Sequence, residues 1–338
     1  MSHLNSLPRR GISRRDVLRA GVAFGALGLA GCAGNPVLGG SFLQPWGEHM
    51  NWSPEQWRKS LTGMRELGCE EVFLQWVGIE GESNATWDAR GRMLGTLMNE
   101  AAGLGMGVHL GLPYNDNWWN AIPENNDAVY AYLQGIGQHC ASYMRSVTWQ
   151  KSPAFRGWYI PYELEQYHWG SAARIDMLTG WLGALSNVCV ETSGREPTIS
   201  TYHSEMGSPE VLAQMWSVIL DRVRIHPMLQ DGVGVHGIGN YANLEPLHQM
   251  LLRRGASFDL IVELFERLPT SANLVGEFQA RSASYNRLMS QWHAAKDYGA
   301  KRVVAFAVEP WVSQDTAEGQ QLRKAWRATL QQQQVDLK

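Results

Sequence analysis

The chain has 338 residues, among them 35 glycines and 15 tryptophans, with 18% charged residues and a formal charge of −3. A hydrophobic content of 44% and nearly balanced charge exclude a disordered chain. The mild acidity excludes nucleic acid as the main partner, because phosphate binding rests on clustered Lys and Arg.

The N-terminus reads as an address. Ser13-Arg14-Arg15-Asp16-Val17-Leu18-Arg19 is a twin-arginine sequence leading into the apolar run Gly21 to Gly31, which at 11 residues is too short to span a bilayer as a helix. The run ends in Leu29-Ala30-Gly31-Cys32. The whole resembles a twin-arginine export signal over residues 1–31, recognised by the twin-arginine translocase. Cys32 then becomes the lipidated first residue of the mature chain, with 32–40 as a linker. Removing the segment takes away five arginines and one aspartate, leaving 24 basic and 31 acidic side chains and a charge of −7. The acyl chains would hold the protein to a membrane of the cell envelope without a spanning helix. Ala33 stands where an Asp would favour inner-membrane retention, so the outer membrane is expected. Cys69, Cys140 and Cys189 are too few for a disulfide framework and read as buried apolar thiols.

Strand-like apolar runs follow at Ser41–Trp46, Glu71–Trp76, Gly107–Leu112, Gly157–Pro161, Pro197–Tyr202, Gly232–His236, Phe258–Glu263 and Arg302–Ala307. Amphipathic stretches separate them. In the first, Ser53 is an N-cap with Pro54 at N1 and Gln56 completing a capping box, and Trp57, Leu61 and Met64 repeat on one face. Ser208-Pro209-Glu210 opens the fifth in the same way. Eight such alternations without a composition shift predict an α/β fold, a single (β/α)8 TIM barrel over 41–330. Gly232-Val233-Gly234-Val235-His236-Gly237 matches a dinucleotide-binding pattern, but its glycines fall within a strand-like run with no helix opening after them. No cofactor and no metal site are expected.

In such a barrel the reacting groups project from the C-terminal ends of strands. Strand four ends in Tyr162-Glu163-Leu164-Glu165 and strand seven in Val262-Glu263, with Glu163 and Glu263 one hundred residues apart. Acids at these two strand ends are the pattern of the largest clan of retaining glycosidases. Glycoside cleavage needs one protonated carboxyl for the leaving oxygen and one ionised carboxylate at the oxocarbenium-like centre. Glu163 is therefore expected as acid/base, in surroundings that favour its neutral form, and Glu263 as nucleophile, in surroundings that favour its charge. Glu165 shares the parity of Glu163 and is its rival; Glu309 on strand eight and Asp231 before strand six are weaker rivals. Trp46, Trp76, Trp118, Trp119, Trp169 and Trp311 fall on the predicted upper loops, where indole can stack on the C–H faces of a sugar. Gln75, Tyr114, Asn115, Tyr202, His203 and His236 are placed to bond its hydroxyl groups.

The segments Gly157-Trp158-Tyr159-Ile160-Pro161-Tyr162-Glu163, Leu229-Gln230-Asp231-Gly232-Val233-Gly234 and Val262-Glu263-Leu264-Phe265 resemble those of the glycosidase-like barrels known as Domain of Unknown Function 4434, over nearly the whole mature chain. The resemblance implies a (β/α)8 fold and a role on carbohydrate, and it places Gln230 and Asp231 at the mouth. Where the large retaining clan has Asn-Glu, this chain has Tyr162-Glu163. The expected protein is an envelope glycoside hydrolase acting on a polysaccharide or oligosaccharide. The alternative is a non-catalytic carbohydrate-binding or scaffolding lipoprotein of an exopolysaccharide system.

Overall fold

The structure, a computed structural model, describes residues 37–269 and 279–336. The expected signal and the lipidation site Cys32 lie outside the described residues. Eight parallel strands close into a barrel: β1 (Gly40–Leu43), β2 (Glu71–Leu74), β3 (Gly107–Gly111), β4 (Phe155–Leu164), β5 (Thr198–Thr201), β6 (His226–Gln230), β7 (Asp259–Glu263) and β8 (Val303–Phe306). β8 pairs with both β7 and β1, so no barrel edge is left open. Eight long helices follow the strands: α1 (Pro54–Glu66), α2 (Asn84–Gly103), α3 (Asn126–Ser146), α4 (Ala172–Ser193), α5 (Pro209–Arg222), α6 (Tyr241–Arg254), α7 (Tyr285–Asp297) and α8 (Ala317–Asp336). Between β7 and α7, Phe265–Arg267 and Ala280–Ser282 pair as an antiparallel ribbon.

The capping box forms as read. The Gln56 backbone N–H donates to Ser53 Oγ at 3.3 Å, and the Ser53 N–H donates to Gln56 Oε1 at 2.8 Å. Trp57, Leu61 and Met64 bury the inner face of α1. The fifth helix starts at the expected place, but Ser208 bonds the Glu210 carboxylate instead of capping the backbone. Cys69, Cys140 and Cys189 are free, buried thiols.

Strand six differs from the expectation. The strand is His226–Gln230, and Val233–His236 is a single helical turn. Gly232 takes φ +61°, a left-handed conformation that ends the strand and that glycine adopts without steric cost. Gln230 thus ends the barrel strand and Asp231 follows it, instead of preceding it, at the end where a barrel of this kind carries its chemistry.

The lumen is filled in layers. Phe42, Phe73, Tyr159, Met228, Ile261 and Val304 form the apolar middle. Below them lies a charged plug. Arg302 ties Asp259 with Nε at 2.9 Å and Nη2 at 2.5 Å, and its Nη1 reaches Glu71. Glu71 also bonds His109 at 2.9 Å, and His226 lies 3.2 Å from Asp259. Phe73 stacks on His109 with centroids 4.2 Å apart, and the Arg302 guanidinium lies 5.2 Å from the same ring centroid with Nη1 3.4 Å from His109 Nε2. The cationic partners hold the Glu71 and Asp259 carboxyls below the usual range against the opposing effect of burial. Truncation of Arg302 strands two carboxylates at the barrel floor. Arg302→Ala is expected to cost about 3 kcal/mol, read as a lowered urea midpoint with an unchanged m-value.

Candidate active site

Glu163 stands on β4 within a register irregularity between Ile160 and Leu164. Such an irregularity re-aims side chains, and here it separates the two rivals. Glu163 stays half-buried at the mouth. Glu165 is 1% exposed and caps the short helix Gln166–Trp169, accepting from Tyr167 N at 2.6 Å and His168 N at 3.0 Å, with His168 Nδ1 at 2.5 Å. Its carboxylate is thereby engaged inside the fold and is not presented to a ligand.

Glu263 ends β7 and is 7% exposed. The segment after β6 holds both glutamates. Gln230 Nε2 donates to Glu163 Oε1 at 2.7 Å, and the Gly234 N–H donates to Glu263 Oε2 at 2.7 Å. The second contact explains the glycine. A Cβ on residue 234 would meet the Phe265 carbonyl oxygen at 2.6 Å and Glu263 Oε2 at 2.8 Å. The Gly-x-Gly of this segment thus serves a carboxyl group.

Asp231 is placed differently from the expectation that it meets a ligand. It is wholly buried beneath Glu263, where Oδ1 accepts from Val233 N at 3.1 Å and Glu263 N at 3.3 Å. Oδ2 accepts from Gln291 Nε2 at 2.6 Å, with the Tyr241 hydroxyl at 3.3 Å. Arg287, from α7, donates to the carbonyl oxygens of Glu263 and Phe265 at 2.8 and 2.5 Å and not to a carboxylate. Sequence reasoning missed Arg287, Gln291 and Tyr241.

Burial raises the pKa of Glu163, partly offset by Gln230. Burial, then the neighbouring Asp231 charge, push Glu263 up to about 8; the Gly234 N–H offsets this only in part, and Glu163 adds to the rise. Burial likewise takes Asp231 to about 6 against its hydrogen bonds. The surroundings of Glu263 therefore favour its neutral form, the opposite of what the nucleophile role asks.

The remaining expected residues fall into two groups. Tyr114 and Tyr202 are half-buried beside the mouth, and the Glu163 charge adds to the burial that raises both phenols, Tyr114 to about 12. Trp46 is 52% exposed and meets the buried Trp76 edge-on at 5.2 Å, and Trp76 in turn stacks on Tyr114 at 5.8 Å. Trp119 is 40% exposed and lies 6.3 Å from Tyr202. Gln75 is buried and reaches the Tyr159 hydroxyl below the mouth. Trp311 is half-buried, 5.7 Å from Phe265.

Others are turned away. Trp118 and Trp169 are fully buried and stacked on each other at 5.5 Å, so they are core residues and not a platform. Asn115 binds Glu80 and the Asn117 N–H, which organises its own loop. His203 is 6% exposed, with Nε2 on the Gly207 carbonyl at 3.0 Å, and His236 pairs with Glu205 at 2.8 Å. Glu309 accepts from Ser313 and faces a separate cleft of about 830 Å³ between α1 and α8, which holds neither Glu163 nor Glu263. Among the described residues no group of three His, Cys, Asp or Glu side chains is arranged to hold a metal ion.

A closed parallel barrel with two carboxyl groups at its C-terminal mouth and indoles around them is a glycosidase-like architecture. The chain belongs to the family described as Domain of unknown function (DUF4434), whose model matches residues 38–318. It is 23% identical over 204 residues to an uncharacterized protein of Escherichia coli K12, YbcH, a match covering 59% of this chain and 66% of that protein's length. Among solved structures it is similar to a Bacteroides thetaiotaomicron protein titled a "putative alpha-L-fucosidase", with TM-score 0.64, 17% identity and coverage of 87% and 93% of the two chains. It is also similar to the endo-1,4-beta-mannanase of Rhizomucor miehei, with TM-score 0.52, 13% identity and coverage of 87% and 95%. These likenesses show the (β/α)8 barrel fold.

The raised Glu263 carboxyl has a consequence for stability. Between the ordinary 4.5 and about 8 the native state binds more protons than the unfolded chain, so stability falls as pH rises through that window. Asp231 acts in the same direction between 3.8 and about 6. Glu263→Gln removes the Glu263 part of this slope. Its melting temperature relative to the wild type is expected to rise between about pH 5 and about pH 8, as followed by calorimetry.

Proposed function

We propose that the protein is an envelope lipoprotein that hydrolyses glycosidic bonds of a polysaccharide by a two-carboxylate, retaining mechanism, with Glu163 and Glu263 as the reacting pair. The observation that carries this reading is the pair itself. Two carboxyl groups from β4 and β7 are each held by a single neutral donor of one segment, and among the described residues neither forms an ion pair with an arginine. A merely structural acid at a barrel rim is expected to find a cation, as Glu71 and Asp259 do at the floor. The exposed Trp46 and Trp119 offer apolar faces on two sides of the mouth, and the glycosidase-type barrel supports the same reading. A pair whose carboxyl groups are bonded to neutral donors favours hydrolysis over sugar binding alone.

Loss of either carboxyl removes a proton-transfer or charge-stabilising group. Glu163→Gln and Glu263→Gln are each expected to lower the release of reducing ends from a polysaccharide panel by about 10²- to 10⁴-fold while leaving the far-ultraviolet circular dichroism unchanged. Full activity in Glu263→Gln would remove that residue from the mechanism. Retention is read from the anomer first released, by proton NMR.

The twin-arginine signal, the acyl chains on Cys32 and the outer-membrane placement belong to the same proposal. They rest on the order of elements in residues 1–32. Cys32→Ser is expected to leave the membrane fraction and to lose incorporation of labelled palmitate.

A further inference from the structure

The mouth holds three carboxyl groups, each bonded to a residue of a single segment, and hydrogen-bond donors are divided among them unequally. Asp231, with no exposed surface, receives three N–H groups, from Val233, Glu263 and Gln291, and the Tyr241 hydroxyl at longer reach. Glu263 receives one N–H and is almost closed off from water. Glu163 receives one amide donor but keeps part of its surface open to solvent. A carboxylate is stabilised by donors and by water, and two adjacent carboxylates in a dry site do not both ionise. The charge therefore settles on Asp231, and the proton settles on its poorly supplied neighbour. We propose that Asp231 is the positioning residue that keeps the proton on Glu263, so that Glu263 is the proton donor of the pair and Glu163 its carboxylate.

This reverses the roles that strand positions alone suggest, and it rests on the hydrolytic reading above. In the reaction the Glu263 O–H gives its proton to the glycosidic oxygen as the bond from that oxygen to the anomeric carbon breaks. The leaving sugar departs as an alcohol and Glu263 is left as carboxylate. Glu163 forms the new bond to the anomeric carbon. Water then replaces Glu163 and returns its proton to Glu263, which restores both groups. The charged and titratable groups facing Glu263 and Asp231 are consistent with this assignment. Glu163 from β4 adds negative charge, and Tyr241 from α6 is an uncharged phenol. Arg287 from α7 is the facing cation; its bonded Nη2 is held by two carbonyl oxygens, and Glu266 and Arg281 of the ribbon act on it in opposite senses.

The test is infrared difference spectroscopy of wild type against Glu263→Gln across pH, which needs no substrate. The expected result is a protonated-carboxyl carbonyl band at pH 7 that is absent in Glu263→Gln and titrates near pH 8. No band at pH 7, or a band lost in Glu163→Gln but kept in Glu263→Gln, overturns the proposal even if hydrolysis is established. Asp231→Asn is the second arm. Its amide can be accommodated by turning over the Gln291 side chain, whose Oε1 has no partner. The Glu263 band is expected to titrate lower by about 1 pH unit or more, and the alkaline limb of kcat/KM to move by the same amount. An unmoved titration in a folded variant overturns the role of Asp231. Should that variant not fold, the wild-type and Glu263→Gln spectra still decide where the proton lies. A band that behaves as expected in a protein that cleaves nothing in the panel would sink the hydrolytic reading and leave the assignment of the proton intact.

Discussion

Two glutamates from opposite sides of the barrel and one aspartate between them are all held by residues 230–234, and that stretch of backbone has few donors to offer. Gln230 gives its amide to Glu163, Gly234 gives its N–H to Glu263, and Val233 gives its N–H to Asp231. Each geometric detail of the turn follows from this allocation. The left-handed Gly232 swings the chain back over the strand end, and the missing side chain at Gly234 lets its N–H approach Glu263. The helices behind complete the arrangement, with Gln291 of α7 bridging Asp231 and the Glu263 carbonyl at 2.6 and 3.1 Å. A change in any of these residues is felt at a carboxyl group.

The two ends of the barrel treat carboxyl groups in opposite ways, and the difference is one of cations. At the floor, Arg302 neutralises Glu71 and Asp259 and His109 adds a hydrogen bond to Glu71, so ionised acids are compatible with burial there. At the mouth, Arg287 is turned to backbone carbonyls, and the acids are left with neutral donors. The floor thereby contributes stability at neutral pH, whereas the mouth lowers it by confining like charges. A site that is destabilising for the fold is tolerated because the apolar layer beneath it is buried and the floor carries the Arg302 ion pairs.

Much of this was legible in the chain, and the limits have physical causes. The capping box of α1, seven of the eight strands and the acids at the ends of β4 and β7 are local patterns, and each lies where its spacing puts it. β6 was misread because His226-Pro227 begins it and the more strand-like run Val233–His236 is cut from the barrel by Gly232. The rim tryptophans separate by burial, which depends on partners: Trp118 meets Trp169 from another loop, whereas Trp46 and Trp119 stay 52% and 40% exposed. Asp231, Tyr241, Arg287 and Gln291 converge from segments up to 60 residues apart, and no spacing rule within one element points to them.

The closure of the barrel has a weak line. In register β1 meets β8 at Gly40–Val304 and Ser41–Ala305, with Gly39 N donating to the Val303 carbonyl at 2.8 Å just before the strand, and on the outside Arg327 of α8 reaches Glu66 of α1 beside their cleft. Across this line run the Arg302 link from β8 to Glu71 on β2 and the Val308 N–H bond to Ser41 Oγ at 2.9 Å. The first and last strands of the chain are thus joined less by a ladder than by a clasp. The strand that this clasp ties back to the start of the barrel also flanks β7, where Phe306 is the register partner of Glu263, so the seam and the carboxyl pair share one strand.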